Sequence, residues 1–110
     1  MKLEILNVQP NSDPKKEFIA IVALADTNTN EYCLLVKIRS KPIFEIVPIP
    51  VLELKKDHAV FIFTGKGKNK YNKDKSKVFF FNQSDKAYWI NATFESVCLF
   101  EISKAKKIKL

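Results

Sequence analysis

Apolar, β-branched and aromatic residues recur with a period of two along most of this chain, and that spacing constrains its fold more than any other feature. In residues 31–39 (EYCLLVKIR), Tyr32, Leu34, Val36 and Ile38 fall on one side, with Lys37 and Arg39 on the other. A strand sends successive side chains to opposite faces, so the pattern gives one face to bury and one to leave in water. Residues 2–8 (KLEILNV) read the same way, while 17–25 (EFIAIVALA) are apolar on both faces and predict a central, doubly covered strand.

Turn signals divide the rest. The Asx-rich DTNTN at 26–30 predicts a hairpin joining 17–25 to 31–39, because short polar side chains satisfy backbone donors locally. Pro48 and Pro50 cannot donate to a ladder, so 43–54 (IFEIVPIPVLEL) reads as an edge strand or as two short strands joined by a kink. Strands at 58–63 (HAVFIF) and 78–82 (VFFFN) pair as a second hairpin in this reading. Residues 87–102 alternate as a strand does, and a helix capped by Thr93 is the competing reading. The expected fold is all-β, an antiparallel β-sandwich or small barrel of seven to eight strands. The alternative is α+β with a C-terminal helix.

At 110 residues the chain is expected to form one β-rich domain, 1–110, with no linker and no solenoid repeat. Its net charge of +7 is concentrated. Residues 64–77 (TGKGKNKYNKDKSK) hold six lysines against Asp74, and a basic tail at 103–110 holds four more, so the remainder of the chain is slightly acidic. The first ten residues lack a secretory pattern, and the longest apolar run, Phe18 to Ala25, is too short to span a membrane. A cytoplasmic protein without membrane contact is the expectation. Cys33 and Cys98, each inside an apolar run, then read as buried free thiols.

Catalytic chemistry finds little support in the residues. His58, the one histidine, stands far in sequence from both cysteines, and no His, Cys, Asp or Glu spacing matches a metal site. A Cys–His pair assembled by folding, with Asp57 orienting His58, is the remaining enzymatic reading. Glu4, Glu17, Glu31, Glu45, Glu53, Glu95 and Glu101 punctuate strands as solvent-side residues do. The start of the basic segment, Gly65-Lys66-Gly67-Lys68, lacks the spacing, the Ser or Thr and the following helix of a phosphate-binding loop. The expectation is a protein without catalytic residues, metal or cofactor.

The basic segment is the candidate site. As a hairpin connection it is too long, and loops of this length are usually functional or disordered. With Gly65 and Gly67, the chain's two glycines, it reads as a flexible loop. Lys66, Lys68, Lys70, Lys73, Lys75 and Lys77 would contact the phosphates of a nucleic acid or another polyanion, with Tyr71 able to stack on a base and Lys104, Lys106 and Lys107 of the tail assisting. Lysine lacks the bidentate fork that reads guanine, so contact would be independent of sequence. Solubilising lysines beside aggregation-prone strands, or an acidic protein surface as partner, would explain the same residues. The phenylalanines read mainly as core, and an exposed stacking platform is the lesser reading of VFFF and Trp89. The competing function is a protein–protein interaction module, an inhibitor or an assembly subunit, that binds through the 43–54 edge or an apolar patch. Oligomeric state is left open.

Overall fold

Ten strands, three of them only two residues long, make up the regular structure of a computed structural model that describes residues 1–38, 44–85 and 94–102. The strands are β1 (Leu3–Gln9), β2 (Phe18–Ala23), β3 (Thr27–Asn28), β4 (Tyr32–Ile38), β5 (Phe44–Val47), β6 (Glu53–Leu54), β7 (Ala59–Phe63), β8 (Lys70–Tyr71), β9 (Lys77–Phe81) and β10 (Phe94–Glu101). They form a five-stranded sheet of order β1-β2-β7-β9-β8, a three-stranded sheet of order β10-β4-β5 and a small β3-β6 ladder. The period-two reading thus yields an all-β, sandwich-like fold that does not close into a barrel. Residues 94–101 are strand, whereas 86–93 lie outside the described residues. Among the described residues, no helix is long and apolar enough to cross a membrane.

The two large sheets bury their facing sides against each other. Leu3, Ile19, Ile21, Val60 and Ile62 of the five-stranded sheet share one buried cluster with Tyr32, Leu34, Val36 and Val47 of the three-stranded sheet. Each fully buried Ile or Leu stabilises this core by about 1.5–3 kcal/mol relative to exposure.

That face-to-face packing overturns the first expected hairpin. β2 pairs with β1 and β7, while β4 pairs with β10 and β5, so the two strands lie in opposite sheets. Both carry an apolar face too large to leave in water, and stacking buries both faces where edge pairing would bury neither. The Asx-rich segment is therefore a crossover. Asn28 Oδ1 accepts from Asn30 N at 3.0 Å to cap a short 3₁₀ turn. Buried Thr29 donates through Oγ1 to Pro50 O at 2.7 Å and accepts from Leu52 N at 2.8 Å. The proline-broken segment behaves as expected: β5 is an edge strand, and Pro48 to Leu52 lead to the separate β6.

The second expected hairpin is also absent. β7 and β9 are parallel, with Ala59 beside Lys77 and Phe63 beside Phe81. Parallel neighbours need a crossover of about a dozen residues or more. The long 64–76 connection supplies it, running outward to form β8 before β9 inserts between β8 and β7.

Candidate nucleic-acid interface

The basic segment is anchored at its root. Thr64 Oγ1 donates to the Glu17 carboxylate at 2.6 Å, and both residues are buried. Glu17 is thus not the solvent-side residue its place at a strand start suggests. Thr64 N donates to Glu17 O, and Gly65 N donates to Pro14 O at 2.8 Å. Gly65 is required for close approach, since a Cβ there would stand 2.5 Å from the Pro14 carbonyl carbon and 2.6 Å from Lys15 N. Gln83 N and Ser84 N donate to Gly65 O and Thr64 O at 2.9 Å each, closing the other side.

Past the root, amide side chains fix the path. Gln83 Nε2 donates to Gly67 O at 2.8 Å, and Asn69 Oδ1 accepts from Phe81 N at 2.9 Å. Gly67 backs onto the Phe81 ring, 2.4 Å from where its Cβ would be. Both glycines serve close packing, and neither has positive φ. β8 then pairs antiparallel with β9, Lys70 opposite Phe79 and Tyr71 opposite Val78. The return turn is built by Asn72, whose Oδ1 accepts from Lys77 N at 2.9 Å, and by Asp74, whose Oδ1 accepts from Ser76 Oγ at 2.6 Å and Ser76 N at 3.0 Å. The Ser76 hydroxyl, then its N–H, holds the Asp74 carboxyl below the ordinary 3.8. Lys75 takes the left-handed conformation at φ 60° that this turn demands. The segment expected to be a structureless loop is a hydrogen-bonded crossover and edge strand.

This frame leaves the lysines outside. Lys66, Lys68, Lys70, Lys73, Lys75 and Lys77 are all exposed, and Tyr71 is 61% exposed. Lys66 pairs with Asp85 at 2.9 Å, the Lys70 ammonium lies 5.6 Å from the Phe79 ring centre, and that of Lys75 lies 5.2 Å from the Tyr71 ring centre. Among the described residues, none pairs with the ammonium groups of Lys68, Lys73 or Lys77. Lys104, Lys106 and Lys107 lie outside the described residues, so the expected joining of tail and segment falls there too.

Beside the lysines, the outer face of the five-stranded sheet carries an array of phenylalanines. The registers align Gln9, Phe18, Phe63 and Phe81 in one row across the strands, and Asn7, Ala20, Phe61, Phe79 and Lys70 in the next. Phe63 stacks on Phe81 with ring centres 4.7 Å apart, Phe61 on Phe79 at 5.2 Å, and Phe18 meets Phe61 edge-on at 5.8 Å. Such pairs contribute about 0.5–1.5 kcal/mol each beyond their burial. These five rings were expected in the core, yet they are half-buried on the far side of the sheet from it. Nor do they make an open platform. Phe79 is flanked by Phe61 from β7 and Lys70 from β8, and Phe81 by Phe63 and Gly67. Tyr71 keeps more ring surface free than any of them. Trp89 lies outside the described residues.

The residues of the catalytic alternative are not brought together. Cys33 and Cys98 are free thiols on the outer face of the three-stranded sheet, half-buried rather than buried, and diagonal to each other across the β4–β10 ladder. His58 stands before β7, in the other sheet, and its described contacts are backbone hydrogen bonds to Ala23 and Lys55. The sequence reading missed Glu17, Asn69, Asn72 and Gln83 as the groups that shape the basic edge. Asparagine's affinity for turns signals Asn69 and Asn72, whereas nothing local signals Gln83 or Glu17. Comparison with known protein families, with curated proteins and with solved structures finds no match for the chain.

Proposed function

We propose that the protein binds nucleic acid through the phosphate backbone, independently of sequence, using Lys66, Lys68, Lys70, Lys73, Lys75 and Lys77. One observation carries the reading: a hydrogen-bonded β8–β9 edge presents six exposed lysines with a single ion pair among them. A fixed backbone lowers the entropy lost when the lysines engage a ligand. Phosphate contact releases condensed counterions, which drives association and makes it steeply dependent on salt. The closed stack of phenylalanines leaves Tyr71 as the residue suited to base stacking, so the backbone supplies most of the contact.

The test is binding of a generic single-stranded oligonucleotide across a salt series, for the wild type and for a variant with all six lysines changed to Gln. With six contacts, the logarithm of the association constant should fall against the logarithm of salt with a slope of about −4. The variant should lose most of the affinity and nearly all of the slope. A wild type that does not bind at low salt, or binding indifferent to the six changes, rejects the proposal.

A further inference from the structure

An edge strand leaves a row of backbone donors and acceptors unpaired, and proteins usually guard such edges with bulges, charges, prolines or brevity. Among the described residues, three of the four edges of the two large sheets are guarded. β1 is bulged between Ile5 and Asn7 and carries exposed Glu4, and β10 is irregular between Phe94 and Ser96 and ends at Glu101. β8 is two residues long and bears Lys70. β5 differs. Its pairing with β4 is regular over Phe44 to Val47, it contains neither lysine nor proline, and brevity is its main guard. It also displays Ile46 at 72% exposure and Phe44 at 45%, on the outer face shared with Leu35, Cys33 and Phe100.

We infer that β5 is a homodimerisation edge, at which two copies pair antiparallel about a two-fold axis with Ile46 opposite Ile46 of the second copy. Charge and side-chain parity select both the occupant and the register. A two-fold axis normal to the sheet keeps outer side chains on the outer face, so only residues on the same face can oppose each other. Two such registers use the body of the strand. One sets Glu45 against Glu45, which places like charges directly opposite and destabilises the pair. The other sets Ile46 against Ile46 and Glu45 against Val47, which removes the repulsion and buries the most exposed large apolar residue at the axis. The outer face around it carries one charge, Lys37, so a second copy meets no dense field of like charge there. Pro48, which lacks an N–H, ends the ladder after Val47. An edge this short buries less than a standard stable interface, so the expected dimer is weak, with a Kd between about 10 μM and 1 mM.

Salt separates this inference from nucleic-acid binding. Screening of the +7 charge strengthens self-pairing, whereas salt weakens contact with phosphates. Sedimentation of the wild type over rising concentration, at about 0.05 M and about 0.5 M salt, should show a monomer–dimer equilibrium that shifts toward dimer at the higher salt. Ile46→Lys should stay monomeric with an unchanged circular dichroism spectrum. In a Cys33→Ser, Cys98→Ser background, Ile46→Cys should form a disulfide dimer on mild oxidation, since opposed Cβ atoms lie about 4.5–5.5 Å apart. Glu45→Cys, diagonal to its own copy, should cross-link far more slowly. A wild type that remains monomeric to about 1 mM at high salt overturns the inference, as does faster cross-linking through Glu45→Cys than through Ile46→Cys.

Discussion

The root and the tip of the basic segment differ in nearly everything except their chain continuity. At the root, Thr64 and Gly65 are buried, hydrogen-bonded to Glu17 and Pro14, and pressed against backbone. At the tip, Lys73, Asp74 and Lys75 are exposed, and the turn is held by its own Asn, Asp and Ser side chains. The root belongs to the domain's packing, while the tip is a local structure carried outward on it. Fold stability and surface charge are thereby assigned to different residues of one connection, so each can be altered without the other.

The largest effect should come from the root. Gly65→Ala forces a Cβ to within 2.5–2.7 Å of Pro14 and Lys15 backbone atoms, which cannot yield as a side-chain tip would. Loss of stability should reach about 3 kcal/mol, the upper end for overpacking, read as a lower urea midpoint with an unchanged slope. An alanine variant as stable as the wild type would show that the Asp13–Lys15 turn gives way easily, and the distinction between root and tip would weaken. Thr64→Val comes next. It keeps the volume but removes the hydroxyl that donates to buried Glu17, and should cost about 1–3 kcal/mol. Thr64→Ser, which retains the donor, should recover most of that loss.

The same contrast explains what could be read from the sequence. The period-two alternation identifies the longer strands, because a half-buried sheet imposes that pattern residue by residue. Pairing was less legible, because Ile19 and Ile21 look alike whether they face a neighbouring strand or an opposite sheet. Their true partners, Leu34 and Val36, lie across the core rather than along an edge. The length of 64–76 did carry information, since an excess over hairpin need is also what a parallel crossover requires. The lysines were visible by composition alone. The groups that shape their support were not, because a buried Glu17 and a Gln83 that bridges to Gly67 are tertiary facts with no local pattern. The glycines suggested flexibility, and close approach to Pro14 and to the Phe81 ring proved to be their role.

At the tip, the six-lysine variant sharpens the comparison by its small effect on stability. Exposed lysines away from packed features change stability by no more than about 0.5 kcal/mol. Their mutual repulsion is relieved by Gln, so the variant should melt at or slightly above the wild-type temperature while losing oligonucleotide binding. A variant that melts well below the wild type would mean that the lysine stems, Lys70 on Phe79 above all, contribute to packing.

The smallest effect, and the most local, belongs to Asp74. Hydrogen bonds from Ser76 lower its carboxyl pKa in the folded protein, so the ionised form is favoured by folding. A lowered folded value contributes stability that is fully present above the unfolded value, about 3.9, and is lost as pH falls through the folded one. The difference in melting temperature between wild type and Asp74→Ala should therefore be constant from neutral pH down to about 5 and vanish in stronger acid. It should be slight throughout, because the carboxylate is exposed and the turn is a terminus of the sheet rather than part of its core. Binding should respond differently. Asp74→Asn removes the segment's one acid, keeps an acceptor oxygen toward Ser76, and should tighten binding to an oligonucleotide at low salt. Asp74→Ala also removes the acid but loosens the turn that spaces Lys73 and Lys75, so it should gain less. If the two variants bind equally, the lysines act as a diffuse charge and the order of the tip is irrelevant to them. A clear advantage for Asn ties the turn's hydrogen bonds to the placement of the charge.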